Sequence, residues 1–164
     1  VINGDGTGKF NPDNKVTREE FLKMLVEALD IDAAAKETSD FEDCEKDAWY
    51  YPYVLIASTN KITKGISRKT FGIGQNITRQ DMAVMLYNAA WEIDFDMDTT
   101  KAAIVDDDAV ADYAKEAVYA LKNAGVINGY EDGTFKPSNY ANRAETVQMI
   151  YNFIIQKEEY SNEN

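Results

Sequence analysis

The stretch Asn142-Arg143-Ala144-Glu145 stands at the start of an apolar helical pattern and decides how the chain is organised. It recurs as Thr17-Arg18-Glu19-Glu20 and as Thr78-Arg79-Gln80-Asp81, so each copy has a capping residue, an Arg and a carboxylate three positions after the cap. This order predicts a capping box at a helix start. Because an Arg in the first turn faces the positive end of the helix dipole, three copies in register indicate a specific role for it.

Internal repetition extends well beyond these helix starts. Phe10, Phe71 and Phe135 each lie eight residues before the repeated Arg, which gives repeat offsets of 61 and 64 residues. A fixed offset of this length is the mark of a repeat architecture. The sequence predicts a partial first module over residues 1–30, a linker over 31–40, a second module over 41–93, a linker over 94–103, a third module over 104–157 and a charged, frayed tail over 158–164.

Each full module has the pattern of a helix, a loop and a second helix, so the predicted fold class is all-α. Apolar spacing favours first helices over 47–60 and 111–123, and second helices over 18–30, 79–93 and 143–157. Pro52 suits a first helical turn, and Gly125 suits a helix end. Short β-favouring pieces at Val126-Ile127 and Thr134-Phe135 predict local pairing within the loop, and no larger sheet.

Composition excludes several classes of function. A net charge of −12 and a pI near 4.4 argue against binding to nucleic acid or to an anionic membrane, and no apolar run approaches the length of a membrane span. The chain has no His and a single Cys, Cys44, which removes His-based catalysis, zinc-finger patterns and an intramolecular disulfide. Because Asp43 and Glu45 flank Cys44, its thiolate should be disfavoured. With no acid–base motif, we expect no enzymatic activity and no cofactor.

One long motif resembles a known family. Phe41-Glu42-Asp43 followed by Trp49, and the run from Gly125 through Ile127-Asn128-Gly129-Tyr130-Glu131-Asp132-Gly133-Thr134-Phe135-Lys136-Pro137 to Asn142-Arg143-Ala144-Glu145, resemble the S-layer homology (SLH) module. The resemblance covers nearly the whole chain apart from linkers and tail. The middle loop departs from it, because Thr63 through Ile73 lack the Asp-Gly pair and the Pro.

The resemblance implies an all-helical, pseudo-threefold domain at the cell surface. Such domains attach extracellular proteins to secondary cell-wall polysaccharide, often pyruvylated, in grooves between modules. The family's groove residues transfer to the three repeated Arg, to the loop glycines and to the aromatic position near the first helix: Arg18, Arg79, Arg143, Gly4, Gly65, Gly129, Trp49 and Tyr113.

The same residues also permit structural explanations. Each Arg could pair with a nearby carboxylate such as Asp43 or Asp107, which we include among the candidate site residues, and so hold neighbouring modules together. Trp49 and Tyr113 fall on the apolar faces of their predicted helices, so core packing is the first expectation and a sugar-facing role the alternative. The loop glycines are expected at positive φ as well as beside a ligand.

The sequence leaves two further alternatives, a calcium loop and a self-associating module. Residues 3–14 resemble the opening of a calcium loop, but Asn14 stands where the bidentate Glu is needed, so we expect no metal. A structural self-association module of a surface lattice is the alternative to a glycan-binding anchor. The first module lacks its opening helix, which predicts that upstream residues or a second copy of the chain complete it.

Overall fold

The computed structural model describes residues 9–32 and 38–163. Within these ranges the only β structure is a set of isolated bridges, so the all-α fold class is confirmed. Five α-helices follow one another along the chain: α1 (Arg18–Leu29), α2 (Tyr51–Thr59), α3 (Arg79–Ala90), α4 (Asp112–Asn123) and α5 (Arg143–Glu163). Two 3₁₀ turns, Trp91–Ile93 and Asp107–Ala109, follow α3 and precede α4.

The helices α1, α3 and α5 start at the three repeated Arg residues, as predicted. Thr17 and Glu20 form a full capping box, in which the Thr17 N–H donates to Glu20 Oε2 at 2.8 Å and the Glu20 N–H donates to Thr17 Oγ1 at 3.4 Å. Asn142 and Glu145 form the same pair of bonds at 3.0 and 2.8 Å. At α3 only the bond from the Asp81 N–H to Thr78 Oγ1 is formed, because the Asp81 carboxylate binds elsewhere.

The segments that precede these helices, residues 14–17, 75–78 and 139–142, bond to one another in a closed cycle. The Val16 N–H donates to the Ala141 carbonyl, the Ala141 N–H to the Ile77 carbonyl, and the Ile77 N–H to the Val16 carbonyl, at 3.1, 3.0 and 2.9 Å. All three residues are fully buried. The cycle therefore joins all three modules through their main chains.

A second set of three bonds also joins the modules in a cycle, but its donors and acceptors follow each other in the opposite direction. The N–H groups of the repeated Arg residues donate to the carbonyls of Gln75, Asn139 and Asn14, each at 2.9 Å. Because first-turn N–H groups have no partner inside their own helix, these bonds satisfy them with the neighbouring module.

The helices pair across module boundaries. The predicted modules contain a first and a second helix, but α2 packs mainly against α1, and α4 mainly against α3. Tyr53 of α2 donates its hydroxyl to Glu27 of α1 at 2.6 Å, and Tyr87 of α3 donates to Glu116 of α4 at 2.7 Å. Each module thus covers the apolar face of the one before it.

Three helix boundaries or pairings differ from the sequence expectation. The helix α2 begins at Tyr51 and not at residue 47. The helix α5 continues through residue 163, so the predicted frayed tail over 158–164 is wrong for residues 158–163: Tyr160 packs on Phe95 with ring centroids 5.3 Å apart. Val126-Ile127 does not pair with Thr134-Phe135, because both of its N–H groups donate to the Leu121 carbonyl at the end of α4.

Candidate functional site

Arg18, Arg79 and Arg143 each reach from the start of their helix into the loop of the next module. The Nε of each Arg donates to the backbone carbonyl of a Phe, and its guanidinium lies over the ring of that Phe. For Phe71, Phe135 and Phe10 in turn, the Nε–O distances are 3.1, 2.7 and 2.8 Å, and the guanidinium-to-centroid distances are 5.4, 5.0 and 5.2 Å. The repeated Arg is therefore a contact between modules.

Two of these Arg residues also bind a carboxylate of the next module. Arg18 Nη1 lies 3.0 Å from Asp81 Oδ2, and Arg79 Nη1 lies 3.0 Å from Glu145 Oε1. The Arg side chains are only 5% and 7% exposed. Structural pairing is confirmed for both, but the expected partners, Asp43 and Asp107, are wrong. The partner is the carboxylate at the next helix start.

Asp43 instead holds the loop that carries Phe71. Its carboxylate accepts from the N–H groups of Phe71, Gly72 and Ile73 at 2.8, 2.7 and 3.2 Å. Burial acts to raise the pKa of Asp43, but the three N–H groups outweigh it, and the pKa is lowered.

In the third module Asp106 has this loop-holding role, and the predicted Asp107 does not. Asp106 accepts from the N–H groups of Phe135 and Lys136 at 2.7 and 2.8 Å. Asp107 accepts from the Tyr119 hydroxyl at 2.5 Å and pairs with Lys101 at 2.7 Å, and both contacts lower its pKa. The fixed offset of 64 residues leads from Asp43 to Asp107, but the sequence separation between the Asp and the Phe that it holds is 29 in the third module and 28 in the second.

A groove lies where the three modules meet at Arg18, and we call it the middle groove. It encloses about 430 Å³ and is bordered by Arg18 of the first module, by residues 62–65 and α3 of the second, and by α4 of the third. The Tyr113 hydroxyl donates to Asp81 Oδ1 at 2.6 Å, beside the Arg18 contact. The predicted residues Arg18, Gly65 and Tyr113 are therefore brought together.

A second groove has the equivalent position at Arg79, and we call it the C-terminal groove. It encloses about 320 Å³ and is bordered by Arg79, by residues 126–130 and by the first turns of α5. Tyr130 lies under the Arg79 guanidinium at 4.8 Å and donates its hydroxyl to Glu145. The predicted Arg79 and Gly129 meet here.

The aromatic candidates do not lie in the core, so the first expectation for them is wrong. Tyr113 is 63% exposed and Trp49 is 53% exposed. On α4 the buried face is formed by Ala114, Ala117 and Val118, which turns Tyr113 toward the middle groove. Trp49 precedes α2 and lies beneath the Lys23 ammonium at 5.8 Å.

The loop glycines have the positive φ that their sequence context predicted. Gly65 has φ +70° and Gly129 has φ +76°. A Cβ on Gly65 would collide with the Thr70 carbonyl and with the Phe41 ring at 2.6 Å, so the loop's own packing requires glycine there. Gly4 and the first half of the calcium-like loop, residues 3–8, lie outside the described residues.

The middle groove also has a lysine at its border. Lys64, which sequence reasoning missed, is exposed and borders the middle groove beside Gly65. The sequence could have indicated it, because Asn3 and Asn128 occupy the equivalent positions in the other modules, so only the middle loop has a Lys there.

Burial, followed by the charge of Asp43, raises the pKa of the Cys44 thiol to about 12, so the expectation of a disfavoured thiolate is confirmed.

Comparison with known proteins identifies the family. The model of the S-layer homology domain matches residues 1–22, 40–83 and 104–147, which correspond to the three repeats. The chain belongs to the S-layer homology family. The SLH matches contain all three repeated Arg residues and both described loop glycines.

Two relatives of this SLH chain are surface proteins by name, and a third is an anchoring protein by name. Cell surface glycoprotein 1 of Acetivibrio thermocellus is 31% identical over 91% of this chain and 7% of the relative. The surface-layer 125 kDa protein of Lysinibacillus sphaericus is 32% identical over 80% and 11%. The cellulosome-anchoring protein of Acetivibrio thermocellus is 29% identical over 91% and 34%. The SLH chain therefore spans about a third or less of each of these relatives.

Across residues 9–32 and 38–163, no helix is both long enough and apolar enough to cross a bilayer.

We expect Arg79→Ala to lower the free energy of unfolding by about 2–3 kcal/mol, since it removes one partner of a largely buried ion pair and leaves the Phe135 carbonyl without its donor. Urea unfolding followed by circular dichroism measures this. Arg68→Ala, which removes an exposed Arg from the middle loop, should change stability by less than about 0.5 kcal/mol. Equal effects of the two variants would refute the role of Arg79 between modules.

The Asp43 contacts predict a pH dependence. Because the folded pKa of Asp43 is lowered, its ionised form stabilises the protein above the unfolded pKa of about 3.9, and this contribution disappears as pH falls through the folded pKa. The difference in unfolding free energy between the native sequence and Asp43→Asn should therefore be largest above about pH 5 and shrink below about pH 4. The exposed Asp47→Asn serves as control; a pH-independent difference for Asp43→Asn contradicts the assignment.

Proposed function

We propose that the chain anchors a bacterial surface protein non-covalently to the cell wall, outside the cell, by binding a pyruvylated secondary cell-wall polysaccharide in the grooves between SLH modules. Membership of the SLH family supports this, as do relatives named as cell-surface, surface-layer and anchoring proteins. The role is one of binding and not of catalysis, and it needs no cofactor. The single observation that carries the proposal is the convergence of Arg18, Lys64 and Tyr113 on one groove.

The chemistry of the middle groove suits an acidic sugar. A chain of net charge −12 repels anions in general, so an anionic ligand needs a local cation. Lys64 supplies an exposed ammonium, and Arg18 keeps donor capacity at Nη2 because its described bonds use Nε and Nη1. The ring of Tyr113 offers an apolar face to the C–H surface of a pyranose. A pyruvyl ketal supplies the carboxylate.

The grooves should not bind equally. The C-terminal groove has Asn128 where the middle groove has Lys64, so it lacks that cation. We therefore assign the stronger binding to the middle groove. Trp49 would serve a third groove with Arg143 and Gly4, and this stays a prediction.

A pseudo-threefold arrangement of modules belongs to the same proposal. The cyclic order of the Val16, Ile77 and Ala141 hydrogen bonds supports it, because each module bonds to the next and the third bonds to the first. Completion of the first module by upstream residues or by a second copy stays a prediction.

A structural module that takes part in self-association without glycan contact is the second candidate. The observation that favours it is the burial of Arg18 and Arg79, each of which pairs with a carboxylate of the next module. Substitution of Arg18 or Arg79 cannot separate the two candidate functions, because both of them predict that the variant loses stability. A residue that borders the groove but holds nothing together is needed.

Lys64→Ala provides this test. We expect its affinity for purified wall polysaccharide to fall about tenfold, the loss of one charge-assisted contact, with unfolding free energy unchanged. Co-sedimentation and calorimetry measure binding. Lys69→Ala is the matched control, because Lys69 lies in the same loop, pairs with exposed Glu42 and is not among the described residues that border the groove.

Removing pyruvate from the polymer gives the second arm of this experiment. Binding by the native chain should fall to the level of Lys64→Ala, and the variant should be little affected further. Full binding by Lys64→Ala, or by the polymer without pyruvate, would reject the carboxylate contact. No binding by the native chain at all would favour the structural candidate.

A further inference from the structure

A separate cavity lies between the C-terminal ends of α3 and α5. It encloses about 260 Å³, and four of its lining residues are aromatic: Tyr87, Trp91, Phe95 and Tyr160. We call it the aromatic cavity. Its lining residues all lie outside the SLH matches, which cover residues 1–22, 40–83 and 104–147.

The rings of the aromatic cavity are held by the fold on one side and open to solvent on the other. Tyr87 and Trp91 are one helical turn apart, so they share a face of the helix end. Phe95 is 7% exposed; its N–H donates to the Ala90 carbonyl at 3.0 Å, and its ring packs on Phe153 and Tyr160 at 5.5 and 5.3 Å. Trp91 is 70% exposed, so a ligand can reach its ring face.

The charge around these rings is negative. Asp94 and Asp96 border the cavity, and both are exposed. The cavity also lies at the C-terminal end of α3, where the last carbonyls carry the negative end of the helix dipole. Among the described residues that line it, none is Lys or Arg.

The raised pKa of the Tyr87 hydroxyl agrees with the negative charge around the cavity. Burial, then the hydrogen bond and charge of Glu116, raise the pKa of the Tyr87 hydroxyl to about 12, and the charge of Asp96 acts in the same direction. The surroundings of this ring therefore disfavour a further negative charge.

We propose that the aromatic cavity binds an organic ammonium ion, with the cation against the rings of Trp91 and Tyr160 and its charge balanced by Asp94 and Asp96. Aromatic faces attract cations through the negative charge on their π-systems, most strongly for Trp, and carboxylates add to this attraction. The cavity is smaller than a site for a drug-sized ligand, so it suits one ammonium group with its attached carbons.

This site is independent of the proposed polysaccharide grooves but adjoins one of them. Tyr87 borders both the aromatic cavity and the middle groove. The charges of the two sites differ, because the groove has Arg18 and Lys64 beside Asp81 and Glu116, whereas the described lining of the cavity has Asp94 and Asp96 and no cation. A wall component that carries a free amine would therefore be directed to the cavity and not to the groove.

A matched pair of small ligands tests the proposal. Choline and 3,3-dimethylbutan-1-ol have the same shape and differ in charge. In Trp49→Phe, Trp91 is the only Trp of the chain, and its fluorescence reports on the cavity. At constant ionic strength, we expect choline to change this fluorescence saturably, with an affinity at least about tenfold above that of the neutral alcohol.

Variants then assign the charge recognition to its residues. Asp94→Asn with Asp96→Asn should weaken choline binding about tenfold and leave the alcohol unaffected. Asn suits position 94, whose φ is +50°. Glu92→Gln is the control, since it removes one negative charge from an exposed neighbour that does not line this cavity.

Three results would overturn the proposal. Equal affinities for choline and the alcohol would mean an apolar cavity without charge recognition. A linear, unsaturated response would mean no site. Equal losses in the Asp double variant and in Glu92→Gln would mean attraction by the general surface charge.

Discussion

A cycle of three main-chain hydrogen bonds, from Val16 to Ala141, from Ala141 to Ile77 and from Ile77 to Val16, is the constraint on which this fold depends. Its members are fully buried, so breaking one bond would leave N–H and carbonyl groups unsatisfied in the core. The cycle fixes where α1, α3 and α5 start. Those starts fix the caps, and the caps fix the direction of the repeated Arg side chains.

The repeated Arg residues explain why a cation is tolerated at a helix start. Each gains a Phe carbonyl and a Phe ring from the next module, and Arg18 and Arg79 gain a carboxylate as well. Contacts of this kind outweigh a dipole cost of a few tenths of a kcal/mol. The grooves form at the same junctions, so the interactions that join modules also build the walls of the proposed binding sites.

The sequence predicted what local rules determine, and it missed what depends on the neighbouring module. Capping residues, the helix starts at Arg18, Arg79 and Arg143, and the positive φ of Gly65 and Gly129 follow from local chemistry. The pairing of α2 with α1 and of α4 with α3 does not, because apolar faces show only that a partner exists. The exposure of Tyr113 and the use of Asp106 in place of Asp107 depend on the same tertiary context.

Native-state hydrogen exchange at Val16, Ile77 and Ala141 tests the central claim most directly. If the cycle closes the three modules into one cooperative unit, the three amides should exchange with the same free energy, equal to that of global unfolding by urea. Exchange of one of them at a free energy several kcal/mol lower, with the other two unaffected, would contradict the account. It would mean that one module opens by itself and that the cycle does not hold the fold together.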